Sequence, residues 1–124
     1  MDQIRVGIVD DHVVFRQSLR SILVTYRDLV VIGEADNGLA ALEMADEHRP
    51  DVILMDLNMP LMDGLQATEI ITSKHPRTKV VVLSMHTDDG VRALAREVGA
   101  SHFLSKDSNL KGIADVIRGV HLER

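Results

Sequence analysis

The chain has 124 residues, the size of one ordinary domain, and 45% of them are hydrophobic, which is enough for a sizeable core. Direct binding of nucleic acid is disfavoured because the net charge is -5, the basic residues form no cluster, and the only aromatic residues are one tyrosine and two phenylalanines. The lack of cysteine excludes disulfides and thiolate metal sites. The N-terminal sequence does not have the pattern of a signal peptide and no segment approaches a membrane span, so we expect a cytoplasmic protein with no membrane partner.

Five short apolar runs predict five β-strands. Several of these runs are rich in β-branched residues and apolar at successive positions, which is typical of parallel strands buried on both faces. The predicted strands cover residues 4–9, 29–35, 51–55, 79–84 and 101–105.

Amphipathic stretches follow these runs and predict five helices. Asn37 is suited to be the N-cap of the second helix, and Gly99 suits the C-terminal end of the fourth. In the first helix, apolar residues recur with a helical period and form one face for the core: Phe15, Leu19, Ile22, Leu23 and Tyr26. The other four helices are expected at residues 39–48, 64–73, 89–98 and 109–121. Five βα units without a repeat or a linker indicate one α/β domain with a parallel sheet.

Polar residues stand at the carboxyl ends of four predicted strands. The first strand runs into Asp10 and Asp11, and the third runs into Asp56. The fourth strand ends in Ser84, and the fifth is followed by Lys106. In an open parallel sheet these ends share one edge, where ligands bind at the switch in strand order. The pattern therefore predicts three carboxylates, a hydroxyl and an ammonium at a single site.

These residue types fit the transfer of a phosphoryl group to aspartate. Three neighbouring carboxylates repel one another, and a hard divalent cation relieves that repulsion. Oxygen ligands at an open site favour Mg²⁺, with Mn²⁺ as the other candidate. A carboxylate beside such a cation can attack phosphorus and form an aspartyl phosphate, while a lysine and a hydroxyl bind the phosphoryl oxygens.

Each of these residues also has a simpler explanation when it is taken alone. An aspartate after a strand is usually a helix N-cap, and adjacent aspartates usually form a turn. Ser84 alone fits an ordinary hydroxyl at a strand end, and Lys106 alone fits a solvated charge. The convergence of four strand ends, in the required chain order, favours the functional interpretation.

With these motifs the chain resembles a response-regulator receiver domain over essentially its whole length. The motifs are VDDH (9–12), DLNMPLMDG (56–64), VVVLSMH (80–86) and GASHFLSK (99–106). The segments DDH and HPRTKVVVLSMH, and a lysine followed by Asp107 rather than proline, are most similar to the NarL/FixJ, or LuxR-type, branch of that family.

The resemblance implies one receiver domain over residues 1–124, with a CheY-like, flavodoxin-like fold of five βα units. In that fold a parallel five-stranded sheet of order 2-1-3-4-5 lies between two layers of helices. The implied function is two-component signalling: the domain accepts a phosphoryl group from a sensor histidine kinase and is not an enzyme, apart from weak self-phosphorylation and autodephosphorylation. Members of this branch usually continue into a helix-turn-helix domain that binds DNA; a stand-alone receiver acting by protein contacts is the alternative.

The resemblance also implies a role for each residue of the predicted site. Asp56 is the phosphoacceptor. Asp10, Asp11, Asp56 and the backbone carbonyl of Asn58 hold Mg²⁺, with Asp11 making the most direct contact.

The same resemblance implies roles for residues around the phosphoacceptor. Ser84 contacts the phosphoryl group, Lys106 pairs with it, and Ser84 and Phe103 form a switch that moves with the adjoining loop. Pro60 and Gly64 shape the loop after the third strand, because proline resists regular structure and glycine gives backbone freedom.

Other residues and other functional classes fit part of this pattern. His12 and His86 lie near the predicted site, where packing or polar contacts are expected more than direct chemistry. A haloacid-dehalogenase-type phosphatase also uses aspartate, a hydroxyl and lysine around Mg²⁺, but its nucleophile follows the first strand in a D-x-D arrangement, whereas Asp10 and Asp11 are adjacent. A phosphate-independent interaction module is less expected, because such a module does not need the complete set of site residues found here. A P-loop NTPase is excluded because G-x-x-x-x-G-K-[ST] is missing.

Output through a homodimer is a further expectation. Val13 and Val24 lie opposite the core face of the first helix, and Val116 flanks the buried stripe of the fifth. In the resembling branch these two helices often form a contact surface, with helices four and five as the alternative. We therefore expect phosphorylation to favour a weak dimer, although single exposed valines are also normal on any surface.

Overall fold

The computed structural model describes residues 2–85, 88–108 and 110–123. Within them, strands and helices alternate along the chain as the sequence predicts. The strands are β1 (Ile4–Val9), β2 (Leu29–Ala35), β3 (Val52–Asp56), β4 (Lys79–Ser84) and β5 (His102–Ser105). The helices are α1 (Val13–Leu23), α2 (Gly38–His48), α3 (Gly64–Lys74), α4 (Asp89–Glu97) and α5 (Ile113–His121).

The strands form one parallel sheet with the order β2-β1-β3-β4-β5, which confirms the predicted order. The central strand, β3, pairs Met55 with Val9 of β1 and Asp56 with Leu83 of β4. These pairs align the carboxyl ends of three strands at one edge. The strand order reverses between β1 and β3, so the crevice expected for a ligand lies at that point.

Helices cover both faces of the sheet and complete the expected three-layer fold. On one face α1 and α5 bury side chains such as Leu19 and Ile117. On the other face α2, α3 and α4 bury side chains such as Met44 and Ile71. Because β3 lies between both clusters, its apolar residues have no access to solvent, which explains a strand that is apolar at successive positions.

Local sequence signals set several of the helix ends. The N-cap predicted at Asn37 is confirmed, because its Oδ1 accepts the Ala40 N–H at 2.8 Å. Asp63 and Gln66 form a capping box at the start of α3, each side chain binding the other residue's backbone N–H. The prediction for Gly99 is also confirmed, since it follows α4 with a φ of 106°, a conformation that favours glycine.

Two helices differ from the prediction by more than one residue. The first helix ends at Leu23, three residues before Tyr26, which was expected on its core face. In the turn that follows, the Thr25 hydroxyl donates a hydrogen bond to the Ile22 carbonyl. Tyr26 still packs against the core, but from beyond the end of the helix. The fifth helix was expected from Asn109, which lies outside the described residues. A 3₁₀ turn covers Leu110–Gly112, and α5 begins after Gly112, a poor residue for a helix interior.

No helix in the described ranges combines the length and the apolar character that crossing a bilayer requires.

Candidate functional site

The central strand brings Asp56 to the carboxyl edge of the sheet. Asp56 is the last residue of β3, and only 3% of its surface is exposed. Because Met55 pairs with Val9, Asp10, which follows β1, is placed next to Asp56. The apolar run that ends in a carboxylate therefore produces a buried acid at the switch point.

The structure brings the three predicted acids together. Oxygen atoms of Asp10, Asp11 and Asp56, together with a ring nitrogen of His12, lie within 4.8 Å of one another. Asp10 is 1% exposed, whereas Asp11 is open to solvent. His12 Nδ1 lies 3.2 Å from Asp10 Oδ1 and 3.3 Å from Asp11 Oδ1, so this histidine belongs to the cluster by its contacts.

Lys106 reaches the same acids from the turn after β5. Its Nζ lies 2.8 Å from Asp10 Oδ2 and 3.1 Å from Asp56 Oδ1, and its side chain is only 5% exposed. The Lys106 backbone N–H donates to the Ser84 carbonyl at 3.0 Å, and the ammonium lies 4.7 Å from the centroid of the Phe15 ring. A buried cation thus compensates two buried carboxylates, each of which is costly without a partner.

Burial raises the pKa of the Asp56 carboxyl above its ordinary value, and the negative charge of Asp10 raises it further. The hydrogen bond and the positive charge of Lys106 oppose this rise without cancelling it. The folded protein therefore holds the Asp56 proton more tightly than the unfolded chain does. It follows that ionised Asp56 lowers the free energy of unfolding, and that this loss develops as the pH rises through the raised pKa.

Asp56→Asn is accordingly expected to raise the melting temperature of the metal-free protein at neutral pH. The gain should shrink on acidification, as the wild-type carboxyl takes up its proton, and vanish below the ordinary aspartate pKa of 3.8. Thermal unfolding in a chelator, followed from neutral to acidic pH, measures this difference. Asp107→Asn, which removes the same charge from an exposed residue, is the control. A variant that melts below the wild type at neutral pH contradicts the expectation.

The other predicted site residues surround this cluster. Ser84 is fully buried at the end of β4, where it pairs with Ser105 of β5. Phe103 is half-buried on β5, with the guanidinium carbon of Arg92 4.9 Å from its ring centroid. Asn58 is exposed in the loop after β3, and His86 lies outside the described residues. Phosphoryl contact by Ser84, switching by Phe103 and metal binding by Asn58 stay predictions.

The loop after β3 holds Gly64 directly against the backbone of Asp56. A Cβ atom on Gly64 would lie 2.0 Å from the Asp56 carbonyl oxygen, and the Gly64 N–H donates to the Leu57 carbonyl at 2.9 Å. Among the described glycines only Gly99 has a positive φ, so the expectation that Gly64 supplies backbone freedom is wrong. Glycine is required there because the helix start approaches the strand end too closely for any side chain.

The acidic cluster has the donor set that a hard divalent cation needs. Asp56 Oδ2 is buried and accepts no hydrogen bond from any described residue, while Asp56 Oδ1 pairs with Lys106. Asp11 offers a solvent-facing carboxylate at the same place. The Asn58 carbonyl oxygen accepts no hydrogen bond within the described ranges. Carboxylate and carbonyl oxygens at an open position suit Mg²⁺ or Mn²⁺, so the residues present fit such an ion.

Sequence reasoning missed two residues that hold this site. Arg16 Nη1 donates to the Asp10 carbonyl, and Arg16 Nε lies 3.1 Å from Glu34 Oε1 on β2. Glu34 is a single charge within an otherwise apolar strand, which was a signal in the sequence. Nothing in the sequence connects that glutamate to α1, because the pairing depends on how the helix lies across the sheet.

Comparisons with known proteins agree with this geometry. Residues 6–118 match the family model described as the response regulator receiver domain. The transcriptional regulatory protein DegU of Brevibacillus brevis is 34% identical over 96% of this chain and 50% of its own length, and LiaR of Bacillus subtilis is 43% identical over 93% and 54%. The chain therefore spans about half the length of these curated relatives. The solved receiver domain of NarL from Mycobacterium tuberculosis superposes with a TM-score of 0.88 and 37% identity, covering 96% of this chain and 99% of that one.

Proposed function

Because the chain belongs to the response regulator receiver domain family, in its NarL/LuxR-type branch, we propose that Asp56 accepts a phosphoryl group with the help of Mg²⁺ and that the domain thereby changes its contact surface. A receiver domain belongs to two-component signalling and is generally not an enzyme. The observation that carries the proposal is the buried Asp56 carboxylate, which has one oxygen paired with Lys106 and the other without a donor among the described residues.

The chain's own residues suit the steps of such a transfer. Asp56 supplies the attacking carboxylate oxygen, and β3 fixes its position at the edge of the sheet. As the new bond between this oxygen and phosphorus forms, the bond from phosphorus to the donor breaks, and negative charge collects on the phosphoryl oxygens. Lys106, the cation paired with Asp56, would neutralise that charge, and Ser84, at the end of the neighbouring strand, would contact the phosphoryl group. Mg²⁺ bound by Asp10, Asp11, Asp56 and the Asn58 carbonyl would supply further charge neutralisation.

The proposed partner is a sensor histidine kinase, as for receiver domains in general, and the proposed location is the cytoplasm. Small donors such as acetyl phosphate should also phosphorylate the protein slowly, and the phosphoryl group should be lost slowly by autodephosphorylation. The similar proteins are transcriptional regulators by name. We therefore propose transcriptional regulation as the output, through a helix-turn-helix domain outside residues 1–124, which we treat as one receiver domain. A stand-alone receiver remains the second candidate.

Mg²⁺ is expected to raise the melting temperature of the protein, because an ion that binds only the folded state stabilises it. Asp11→Asn should reduce this rise strongly, since Asp11 is the solvent-facing carboxylate of the cluster. Asp107→Asn, which removes one nearby exposed charge outside the cluster, should leave the rise unchanged. Melting curves over a Mg²⁺ titration provide the measurement. Equal responses of the wild type and Asp11→Asn would remove Asp11 from the metal site.

The response of the wild-type protein to two phosphorylated compounds distinguishes a receiver from a phosphatase. A receiver exposed to acetyl phosphate and Mg²⁺ should keep a stable aspartyl phosphate and should not turn over an added phosphomonoester. Continuous release of phosphate from such an ester would instead support a haloacid-dehalogenase-type activity.

Phosphorylation is further expected to favour a weak homodimer through α1 and α5. Val24, the residue that follows α1, is 61% exposed, whereas Val116 packs partly against the core, so a charge at Val116 would also disturb folding. Val24→Asp should therefore abolish the dimer. Leu39→Asp, which replaces an exposed leucine on α2, should leave the dimer intact. Sedimentation of the unmodified and phosphorylated forms measures this. A phosphorylation-dependent dimer that survives in Val24→Asp would move the contact to α4 and α5.

A further inference from the structure

The loop between β1 and α1 carries two of the three acids, and a side chain from α1 fixes its backbone. The Asp10 N–H donates to the Ala35 carbonyl of β2 at 3.0 Å. The Asp10 carbonyl lies beyond the last residue of β1 and accepts a hydrogen bond from Arg16 Nη1 at 2.6 Å. The peptide groups on both sides of the Asp10 side chain are therefore fixed, one by the sheet and the other by Arg16.

Arg16 is itself held from two directions. Its backbone N–H donates to the His12 carbonyl at 2.9 Å, and its Nε lies 3.1 Å from Glu34 Oε1. Glu34 stands on the edge strand β2, paired with Ile8 of β1. Only 18% of the Arg16 side chain is exposed. The planar guanidinium thus joins β2, α1 and the acidic loop, with donors pointing in fixed directions.

Arg20 provides a comparison within the same helix. Arg20 Nη1 pairs with Oε2, the other oxygen of the same glutamate, but the Arg20 side chain is 53% exposed and makes no hydrogen bond or ion pair with Asp10. Two arginines of equal charge therefore share one carboxylate, and only one of them reaches the loop.

We propose that Arg16 is a positioning residue: its guanidinium, anchored by Glu34, holds the Asp10 carbonyl and so aims the carboxylates of Asp10 and Asp11 at the place of the divalent cation. The inference rests on the proposed function, because it assumes that these acids bind the ion. Residues that orient metal ligands from behind commonly contribute 10- to 100-fold in metal affinity, by holding the ligand in its binding conformation.

A positioning role and a plain charge effect predict opposite results. Arg16 is a cation close to a site that attracts Mg²⁺, so losing its charge should strengthen Mg²⁺ binding if only electrostatics mattered. Losing the hydrogen bond to the Asp10 carbonyl should weaken binding, because the loop must then be ordered when the ion binds. The sign of the change therefore identifies the role.

The test compares Arg16→Gln, Arg16→Lys and Arg20→Gln with the wild type by calorimetric titration of Mg²⁺. Arg16→Gln should weaken Mg²⁺ binding by about 10-fold. Arg16→Lys keeps the charge but loses the planar set of guanidinium donors, so its Mg²⁺ affinity should lie between those of Arg16→Gln and the wild type. Arg20→Gln should bind Mg²⁺ as the wild type does or slightly more tightly. Equal or tighter binding by Arg16→Gln, or an equal loss in Arg20→Gln, overturns the proposal.

Amide hydrogen exchange in the metal-free proteins gives a second readout that does not depend on the ion. The His12 N–H donates to Asp10 Oδ1 at 2.8 Å, and the Asp10 N–H donates to Ala35. Both amides should exchange faster in Arg16→Gln than in the wild type and should be unchanged in Arg20→Gln. If the wild type does not bind Mg²⁺, the proposed function fails, and the exchange result alone decides whether Arg16 fixes the loop. Unchanged exchange of the His12 and Asp10 amides in Arg16→Gln would overturn the proposal that Arg16 fixes the loop.

Discussion

Lys106→Met is expected to slow phosphorylation by acetyl phosphate by about 100-fold or more, which is the usual loss when one group that stabilises a developing negative charge is removed. Lys106 is the buried ammonium that pairs with both Asp10 and Asp56. Methionine has a similar length and can pack its thioether against the Phe15 ring, over which the ammonium lies, so the charge is the main property that changes. Rates of phosphate incorporation at saturating Mg²⁺ give the comparison.

The same variant should be less stable without metal, by about 3 kcal/mol, because two buried carboxylates lose their cation. Mg²⁺ should restore part of that stability, since it brings positive charge to the same acids. Lys79→Met makes the same substitution at the opposite edge of the sheet, at the first residue of β4, and should change neither property. If Lys106→Met is phosphorylated at the wild-type rate, Lys106 has no part in the transfer.

Gly64→Ala is expected to destabilise the fold by about 1–3 kcal/mol or more, as insertion of an atom into filled space does. The added Cβ would lie 2.0 Å from the Asp56 carbonyl oxygen and 2.9 Å from the Leu57 Cα. These are backbone atoms of the central strand end and cannot rotate away, so the loop and α3 must move. Because the atoms that move belong to Asp56 and its neighbour, phosphorylation should slow as well.

Gly119→Ala is the matched control for this substitution. Gly119 lies within α5, and a Cβ atom there would meet nothing within 4 Å. Alanine is the better helix former, so Gly119→Ala should raise stability by up to about 1 kcal/mol. Chemical denaturation of both variants measures the two effects, which should have opposite signs. A Gly64→Ala protein as stable as the wild type would show that the loop yields without cost.

The order of strands and helices along the chain could be predicted because each strand is an apolar run and each helix follows such a run as a periodic pattern. The acids and the lysine could be predicted to meet because parallel strands place their carboxyl ends at one edge. Only the chain positions of Asp10, Asp56 and Lys106 relative to the strands are needed for this prediction, and the contacts of Lys106 with both acids agree with it.

Other features depend on distances between elements, which a sequence does not give. Glu34 meets Arg16 and Arg20 only because α1 crosses the edge strand β2 at that level. The reason for Gly64 was mistaken because steric approach and backbone freedom both select glycine, and the two differ only in coordinates. The 3₁₀ turn before α5 was missed because Gly112 interrupts an otherwise helical pattern, and the pattern alone does not say whether the helix continues through it.

Site-resolved mass spectrometry after incubation with acetyl phosphate is the measurement that bears most directly on phosphoryl transfer to Asp56. We expect one phosphoryl group per chain, labile to base, located on Asp56, dependent on Mg²⁺ and absent from Asp56→Asn. A phosphoryl group on another residue of the wild type, or labelling of Asp56→Asn to the wild-type extent, would contradict it.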